Sequence, residues 1–335
     1  MDVLSDVLLA VRLTGAVFFD VEARSPFATE SPAIEAIADR VMAGSGHVIN
    51  FHTMTEGSCW AEVVGRSAPP VHLRAGEIVL YPLGDANILA SAPGMRGQQP
   101  DVRQFYRPPD RALPFPMLMN PDANAEKCRF VCGFLGCDSR PFNPLLSALP
   151  RVVHTPISAA SRGWLESLIG VAVKESGHQA AGREAMLAKL AELMFVEVMR
   201  NHIDSLPEDA KGWFAGLRDP QIGAALRLIH GRPTAPWTLD TLAREIGLSR
   251  SSLAERFTAY VQMPPMQYLA RWRLQIAARL LETPNVSVAQ AAAEVGYQSE
   301  AAFNRAFKRH TGVAPGAWRR ERGPEKSRTT VAGTQ

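Results

Sequence analysis

The side chains able to do chemistry fall into small groups. His47, His52 and His72 lie close together in the first quarter of the chain, and imidazole is a ligand that divalent transition metals favour. A histidine in a strand-like run, however, is more often packed or hydrogen-bonded than ligating. Cys132 and Cys137 bracket an apolar run. A free cysteine is ordinarily a small buried hydrophobe, and its reactivity depends on thiolate character, so a redox role stays open. Much further on, Arg250, Ser251, Ser252 and Glu255 follow one glycine turn, and Glu300, Ala301, Asn304 and Arg305 follow another. These are side chains that exchange hydrogen bonds with polar edges. No segment has the form of a nucleophile elbow or a phosphate-binding loop.

The elements that position these groups belong to a chain of 335 residues, 46% apolar and 21% charged. That mix excludes wholesale disorder, a collagen-like fibre and a coiled-coil rod, and the length suits two or three domains. Four cysteines are too few for a disulfide scaffold. No run of about 18 apolar residues exists to cross a membrane. The N-terminal stretch is broken by Asp2, Asp6 and Arg12 and has no basic leader, which argues against a secretion signal. The expectation is a soluble, cytoplasmic protein. The net charge of +3 is unevenly spread: residues 1–200 hold 18 Lys+Arg against 21 Asp+Glu, and residues 201–335 hold 18 against 12. An anionic partner is therefore expected at the last third.

Val3, Leu4, Val7, Leu8 and Val11 share one helical face, predicting a short opening helix. From about 14 to 90, short β-rich runs such as HVINFHTM, CWAEVV and EIVLY alternate with Gly and Pro turns, the pattern of a small sandwich or barrel. Residues 91–126 read as a long loop, and KCRFVCGFL as a strand returning to the sheet. Beyond 156 the period becomes helical, first through Trp164, Leu165, Leu168 and Ile169, then through Met186, Leu187, Leu190, Leu193, Met194 and Val198. SLPEDAKGW, 205–213, reads as a linker. The predicted segments are 1–156 (sensor), 157–206 (helical connector, dimerising), 207–323 (helical) and 324–335 (disordered tail).

The last third repeats itself after 49 residues: Ala243-Arg-Glu-Ile-Gly-Leu248 is echoed by Ala292-Ala-Glu-Val-Gly-Tyr297. Each copy starts with a short amphipathic helix, carried by Leu239, Leu242, Ala243 and Ile246 or by Val288, Ala291, Ala292 and Val295. Gly247 and Gly296 then stand where a helix end needs a left-handed residue, and Ser249 and Ser299 are candidate N-caps for the next helix. Those next helices bury Leu253 and Phe257, or Phe303 and Phe307. Helix, glycine turn, helix is the helix-turn-helix pattern, here in tandem. Between the copies Met266–Leu281 reads as one helix of about 24 Å, with Leu269, Trp272, Ile276 and Leu280 inward. That length can set two recognition helices about one DNA turn apart.

On these residues the segment 219–322 resembles the DNA-binding domain of AraC/XylS-type transcriptional regulators. The run VAQAAAEVGYQSEAAFNRAFKRHTGVAPGAWRR matches the family pattern A-x-x-x-G-[FY] followed by F-x-R-x-F-[KR]-x-x-x-G-x-x-P-x-x-[WY]-R almost throughout. The resemblance implies that the N-terminal outward positions of the second helix in each copy face base edges: Arg250, Ser251, Ser252 and Glu255, then Glu300, Ala301, Asn304 and Arg305. Arg305 falls on the Arg of F-x-R-x-F. Arginine grips guanine bidentately and asparagine suits adenine, while Lys308, Arg271 and Arg273 suit phosphate, which adds affinity without sequence information.

Gly76-Glu-Ile-Val-Leu-Tyr-Pro82-Leu-Gly84-Asp-Ala-Asn87 resembles the second cupin motif, and Gly46-(five residues)-His52 the start of the first. Two departures matter, because Met54 and Asn87 stand where cupin metalloenzymes carry histidine. Only His52 and Glu56 remain of such a set, so no metal and no cofactor are expected. The chain as a whole resembles the cupin-containing branch of AraC-type regulators. That resemblance implies an α+β protein: an N-terminal cupin-like β-barrel with a helical connector, and a C-terminal all-α domain with two helix-turn-helix motifs joined by a long helix. It further implies double-stranded DNA and a small-molecule effector as partners, a homodimer, no membrane, and no enzymatic activity. His52, Tyr81 and Asn87 are the expected effector contacts. A redox-sensing regulator acting through Cys132 and Cys137, and a cupin-type metalloenzyme fused to a DNA-binding module, are the alternatives.

Overall fold

The computed structural model describes residues 2–65, 69–98, 100–108, 112–155, 167, 170–171 and 181–322. Trp164, Leu165, Leu168 and Ile169, expected on a helix, lie outside these residues, as does the tail 324–335. The described chain forms two compact units. One runs Arg12–Asp138 and Leu149–Leu206; the other joins Met1–Val11 and Ser139–Ala148 to the chain from Pro207 on.

The first unit is a β-sandwich. In chain order its strands are β1 (Thr14–Arg24), β2 (Ala28–Ser31), β3 (His47–Glu56), β4 (Ser58–Val63), β5 (Val71–Arg74), β6 (Ile78–Tyr81), β7 (Asn87–Ala90), β8 (Phe115–Met119), β9 (Lys127–Cys137) and β10 (Val153–Thr155). Among the described residues they make a six-stranded sheet, β10-β6-β3-β9-β1-β8, and a four-stranded sheet, β2-β7-β4-β5. The predicted returning strand is β9, antiparallel to both β1 and β3. It is buried almost end to end, as a strand covered on both faces must be, and so reads as a continuous apolar run. The stretch 91–126 is not all loop. It contains a 3-10 turn at 102–105 and β8, which pairs parallel with β1.

The inner face of the larger sheet meets the smaller one over a core that includes Phe18, Phe130, Phe134, Met54 and Leu73. A helix covers the other face. Numbered along the chain, the helices begin α1 (Val3–Ala10), α2 (Ala38–Val41), α3 (Pro144–Ala148) and α4 (Arg183–Ser205). α4 buries Leu187, Leu190, Ala191, Met194, Phe195 and Val198, an i, i+3, i+4 stripe. Its Gly15 partner on β1 has no room for a side chain: a Cβ there would lie 2.5 Å from the Ala188 carbonyl oxygen. Met186 and Leu193, expected in the same apolar set, face outward at 48% and 44% exposure.

The second unit is helical. Besides α1 and α3 it holds α5 (Trp213–Arg218), α6 (Pro220–Gly231), α7 (Leu239–Glu245), α8 (Arg250–Val261), α9 (Pro265–Glu282), α10 (Val288–Glu294), α11 (Glu300–Thr311) and α12 (Pro315–Arg322). α9 is the shared spine. Its first half presents Tyr268 to Phe257 of α8, with ring centroids 5.8 Å apart. Its second half packs Leu274, Ala277, Ala278 and Leu281 against Phe303, Phe307 and Trp318. Leu269 and Trp272 are buried as expected, whereas Ile276 and Leu280 are only partly buried and Tyr268 and Gln275 are fully so. Gln275 is buried because it joins separate pieces of chain: its Nε2 donates to the Ala10 carbonyl, and its Oε1 accepts from the Phe142 amide.

Candidate functional site

In the sandwich, β3 carries His52 on the face that points between the sheets. Its strand register sets it opposite Cys132 of β9 and Val79 of β6. The ring spans the interior. Nε2 lies 2.7 Å from Asn87 Oδ1 on the opposing sheet, and Nδ1 lies 2.8 Å from Cys132 Sγ. A carboxamide oxygen only accepts, so Nε2 carries the proton and Nδ1 accepts from the thiol. Burial pushes the His52 pKa down to about 4, so the imidazole is neutral. Asn87 Nδ2 donates to the Asp85 carbonyl at 3.2 Å, which orients the amide. Tyr81 stands edge-on to His52 with centroids 5.9 Å apart. Its buried hydroxyl, like Oδ1 of Asn50 directly across the β3–β6 ladder, has no hydrogen-bond partner among the described residues.

His52, Tyr81 and Asn87 are thus brought together. Tyr81 also lines a cavity of about 350 Å³ at the open side of the sandwich, walled by Ala61, Val63 and Val71 and by His154 of β10 and His202 of α4. The remaining candidate ligands go elsewhere. His47 Nε2 is 2.6 Å from the Pro82 carbonyl oxygen, His72 stacks on Trp60, and Glu56 pairs with Lys127. Among the described residues no group of three or more His, Cys, Asp or Glu is placed to hold a metal ion.

Burial bears on the cysteines as well. Cys132 and Cys137 sit five residues apart in one continuous strand, about 17 Å between Cα atoms at strand rise. A disulfide needs less than about 7 Å. All four cysteines are buried. Burial raises each thiol, to about 12 for Cys137 and well above the ordinary value for Cys132, so the reactive thiolate is scarce. What the sequence did not signal is that Cys132 serves as the hydrogen-bond partner of His52, from 80 residues away.

In the helical unit, both glycine turns have the expected geometry. Gly247 and Gly296 adopt φ of +70° and +81°, the left-handed region open to glycine. Ser249 accepts from the Ser252 amide and Ser299 from the Ala302 amide, capping α8 and α11. Thr238 and Ser287 cap the preceding helices with reciprocal capping boxes. Leu253, Phe257, Phe303 and Phe307 are fully buried, so the opposite faces of α8 and α11 point outward. On them Arg250, Ser251, Glu255, Glu300, Ala301, Arg305 and Lys308 are exposed, and Ser252 and Asn304 half-buried. Arg250 lies 3.8 Å from Asp240 in an exposed pair.

Of the expected phosphate contacts, Arg273 has donors engaged inside the fold. Arg273 donates from Nε to the Pro233 carbonyl at 2.7 Å and from Nη2 to the Ala235 carbonyl at 2.8 Å, bracing the turn between α6 and α7. Arg271 is half-buried, with its guanidinium over the Phe142 ring. Conversely, Arg309, Arg319 and Arg320 are exposed on α11 and α12 and were not singled out from sequence. Their signal was the density of basic residues after Phe303.

Comparison with known proteins matches a cupin family model to residues 2–204 and a helix-turn-helix domain model to residues 242–321. An AraC-like transcription regulator of Streptomyces lividans is 32% identical over 276 residues, 82% of this chain and 87% of that protein. The HTH-type transcriptional regulator AlkR of Acinetobacter baylyi is 29% identical over 325 residues, 96% of this chain and all of that protein. Among solved structures, the DNA-binding domain of AdpA in complex with a target DNA is 30% identical, covering 31% of this chain and 92% of that one, with a TM-score of 0.29.

Proposed function

Because the chain belongs to the AraC-like DNA-binding transcriptional regulators with an N-terminal cupin domain, we propose that α8 and α11 read DNA while the sandwich senses a small organic effector. The observation that carries the DNA reading is the pair of outward helix faces, each preceded by a left-handed glycine turn and both built on α9. In this reading Arg305 and Asn304 meet base edges from α11, and Arg250, Ser251, Ser252 and Glu255 from α8. Lys308, joined by Arg309, Arg319 and Arg320, meets phosphate. Glu300 and Ala301 complete the α11 face. The charge is lopsided: α11 and α12 present a cluster of exposed cations, whereas on α8 Arg256 is held by Asp219 at 2.9 Å. The second motif therefore supplies most of the electrostatic attraction.

The cavity beside Tyr81 supports the sensor reading. It is mostly apolar, opens at one side of the sandwich, and adjoins the neutral His52–Asn87 pair. Such a site suits an uncharged organic molecule better than a metal ion. The outward Met186 and Leu193 of α4, two turns apart, support a homodimer through this helix. Among the described residues no helix is long and apolar enough to cross a membrane, and a DNA partner puts the protein's work in the cytoplasm. The relatives from Streptomyces lividans and Acinetobacter baylyi are transcriptional regulators, and the buried, neutral His52–Cys132 pair gives no ground for proposing catalysis here.

The test is a paired substitution measured by quantitative footprinting on a selected operator. Arg305→Ala is expected to weaken operator binding by about 1–3 kcal/mol and relax preference at one base pair. Lys308→Ala is expected to weaken all sequences alike and lower the salt slope by about one. Unchanged affinity and preference in Arg305→Ala would show that α11 does not read bases as proposed.

A further inference from the structure

The two motifs are anchored on α9 through separate cores. Phe257 of α8 meets Tyr268 near the start of the helix, and Phe303 and Phe307 cluster with Leu274, Ala277, Ala278 and Leu281 in its second half. A helix of this length bends, so two separate anchorages do not by themselves fix the angle between α8 and α11. A third contact joins the motifs directly, at the middle of α9. Arg273 Nε donates to the Pro233 carbonyl and Nη2 to the Ala235 carbonyl, at 2.7 and 2.8 Å. One planar guanidinium fork thus spans the turn that leads into α7. Thr234, between those two carbonyls, is pressed against the second motif: a Cβ on Gly296 would lie 3.2 Å from the Thr234 carbonyl oxygen, 3.4 Å from its Cα and 3.5 Å from Arg273 Cζ. The backbone of the second glycine turn is therefore seated on the lead-in of the first motif and on the guanidinium that holds it. Here the two copies of the repeat differ, because a Cβ on Gly247 would meet nothing within 4 Å. Gly247 supplies only a left-handed φ, whereas Gly296 supplies that and a close approach. Three residues beyond Gly296, Ser299 caps α11, so whatever fixes this turn fixes the start of that helix.

We infer that Arg273 is a positioning residue for DNA recognition. By holding the 233–235 turn against Gly296 it sets the orientation of α11 relative to α8, and with it the spacing of the two half-sites that the protein accepts. This rests on the reading of α8 and α11 as the DNA-contacting helices. Arg273 meets neither base nor phosphate in this role. Its loss changes which arrangements of half-sites are accepted and leaves the base preference within each half-site alone. Lysine does not replace it, because one ammonium nitrogen cannot reproduce a fork whose two donors are fixed in a plane.

The experiment footprints the full-length protein on an operator selected from random duplexes, and on copies with one base pair added or removed between the half-sites, a displacement of about 3.4 Å. The parent should bind the selected spacing at least about tenfold more tightly, the usual scale of one mismatched base pair. Arg273→Met keeps the apolar stem and removes every donor. The ratio should then fall about fivefold, the worth of one hydrogen bond, with the salt slope unchanged. Arg273→Lys keeps the charge and should be nearly as relaxed. A phosphate contact would behave otherwise: Arg273→Met would weaken all operators alike and lower the salt slope by about one, and Arg273→Lys would restore both. That result, or an Arg273→Met protein as strict as the parent, would overturn the inference. If Arg273→Met fails to fold, Gly296→Ala tests the junction from its other side and should shift or relax the preferred spacing. Gly247→Ala carries the same backbone penalty in open space and should lower affinity without altering the ratio. Equal behaviour of the two glycine variants, or a parent indifferent to spacing, would also overturn the inference. A parent that selects no duplex would instead refute the DNA reading beneath it.

Discussion

Acid should loosen this protein through two histidines, one in each unit. His52 and His230 are buried, and burial holds their pKa values at about 4 and about 3, against an ordinary 6.5. In the fold both stay neutral across the mildly acidic range; in the unfolded chain both take up a proton below pH 6.5. A depressed histidine pKa leaves stability untouched above the unfolded value and removes it as pH falls toward the folded one. The slope is about 1.4 kcal/mol per pH unit for each proton. Between pH 6.5 and 5, each unit should thus lose about 2 kcal/mol from its own histidine, a sizeable share of an ordinary domain's stability. Among the carboxylates of the helical unit, Asp219 is held below its usual range, against its burial, by the Ile222 amide, Arg256 and the Gln221 amide, whereas burial raises Asp6. Urea unfolding at pH 7 and pH 5, followed by near-ultraviolet circular dichroism, measures the loss. His52→Gln and His230→Gln should each be less stable at pH 7, yet each should lose about 2 kcal/mol less than the parent on acidification. If both variants lose as much as the parent, the two imidazoles are not buried in the neutral form.

The paired glycines offer a sharper structural test. At Gly247 an added Cβ meets open space, so Gly247→Ala should cost only the left-handed backbone penalty, about 1–2 kcal/mol. At Gly296 the same Cβ would lie 3.2 Å from the Thr234 carbonyl oxygen, so Gly296→Ala should cost more; equal losses in thermal melts would contradict that close approach. Native protein treated with iodoacetamide near pH 8 should keep all four thiols unmodified for as long as it stays folded, because each is buried. Mass spectrometry showing Cys132 alkylated at the rate of a free thiol would restore a reactive cysteine.

The features legible from sequence were those that neighbouring residues dictate. The glycine turns, the serine caps and the i, i+4 phenylalanines belong to short stretches whose spacing is itself the geometry. β9 showed itself because burial on both faces leaves only apolar choices. Partners distant in the chain left no such trace. Asn87 reads as a missing imidazole, yet its part is to accept from His52 across the sandwich. Gln275 looks like a solvated helix residue until α1 and Phe142 arrive to use both ends of its amide. Arg273 carries the charge of a phosphate contact, and only the path of residues 233–235 shows where its donors go. β8 escaped because its five residues lie just beyond Pro114 and are held by backbone pairing with β1.

One consequence of a single helix packed into both motifs concerns how this architecture can change. Every residue added within α9 would turn the C-terminal remainder of the chain by 100° and advance it by about 1.5 Å. One insertion would therefore swing α11 well out of phase with α8 and pull Leu274, Ala277, Ala278 and Leu281 off their partners. Seven residues would restore the phase to within about 20° while lengthening the spine by about 10 Å, close to three base-pair steps of a duplex. The reading heads can thus drift apart only in jumps. α9 behaves as a ruler with coarse graduations, and small insertions and deletions in this half of the chain are tolerable in the turns but not along it.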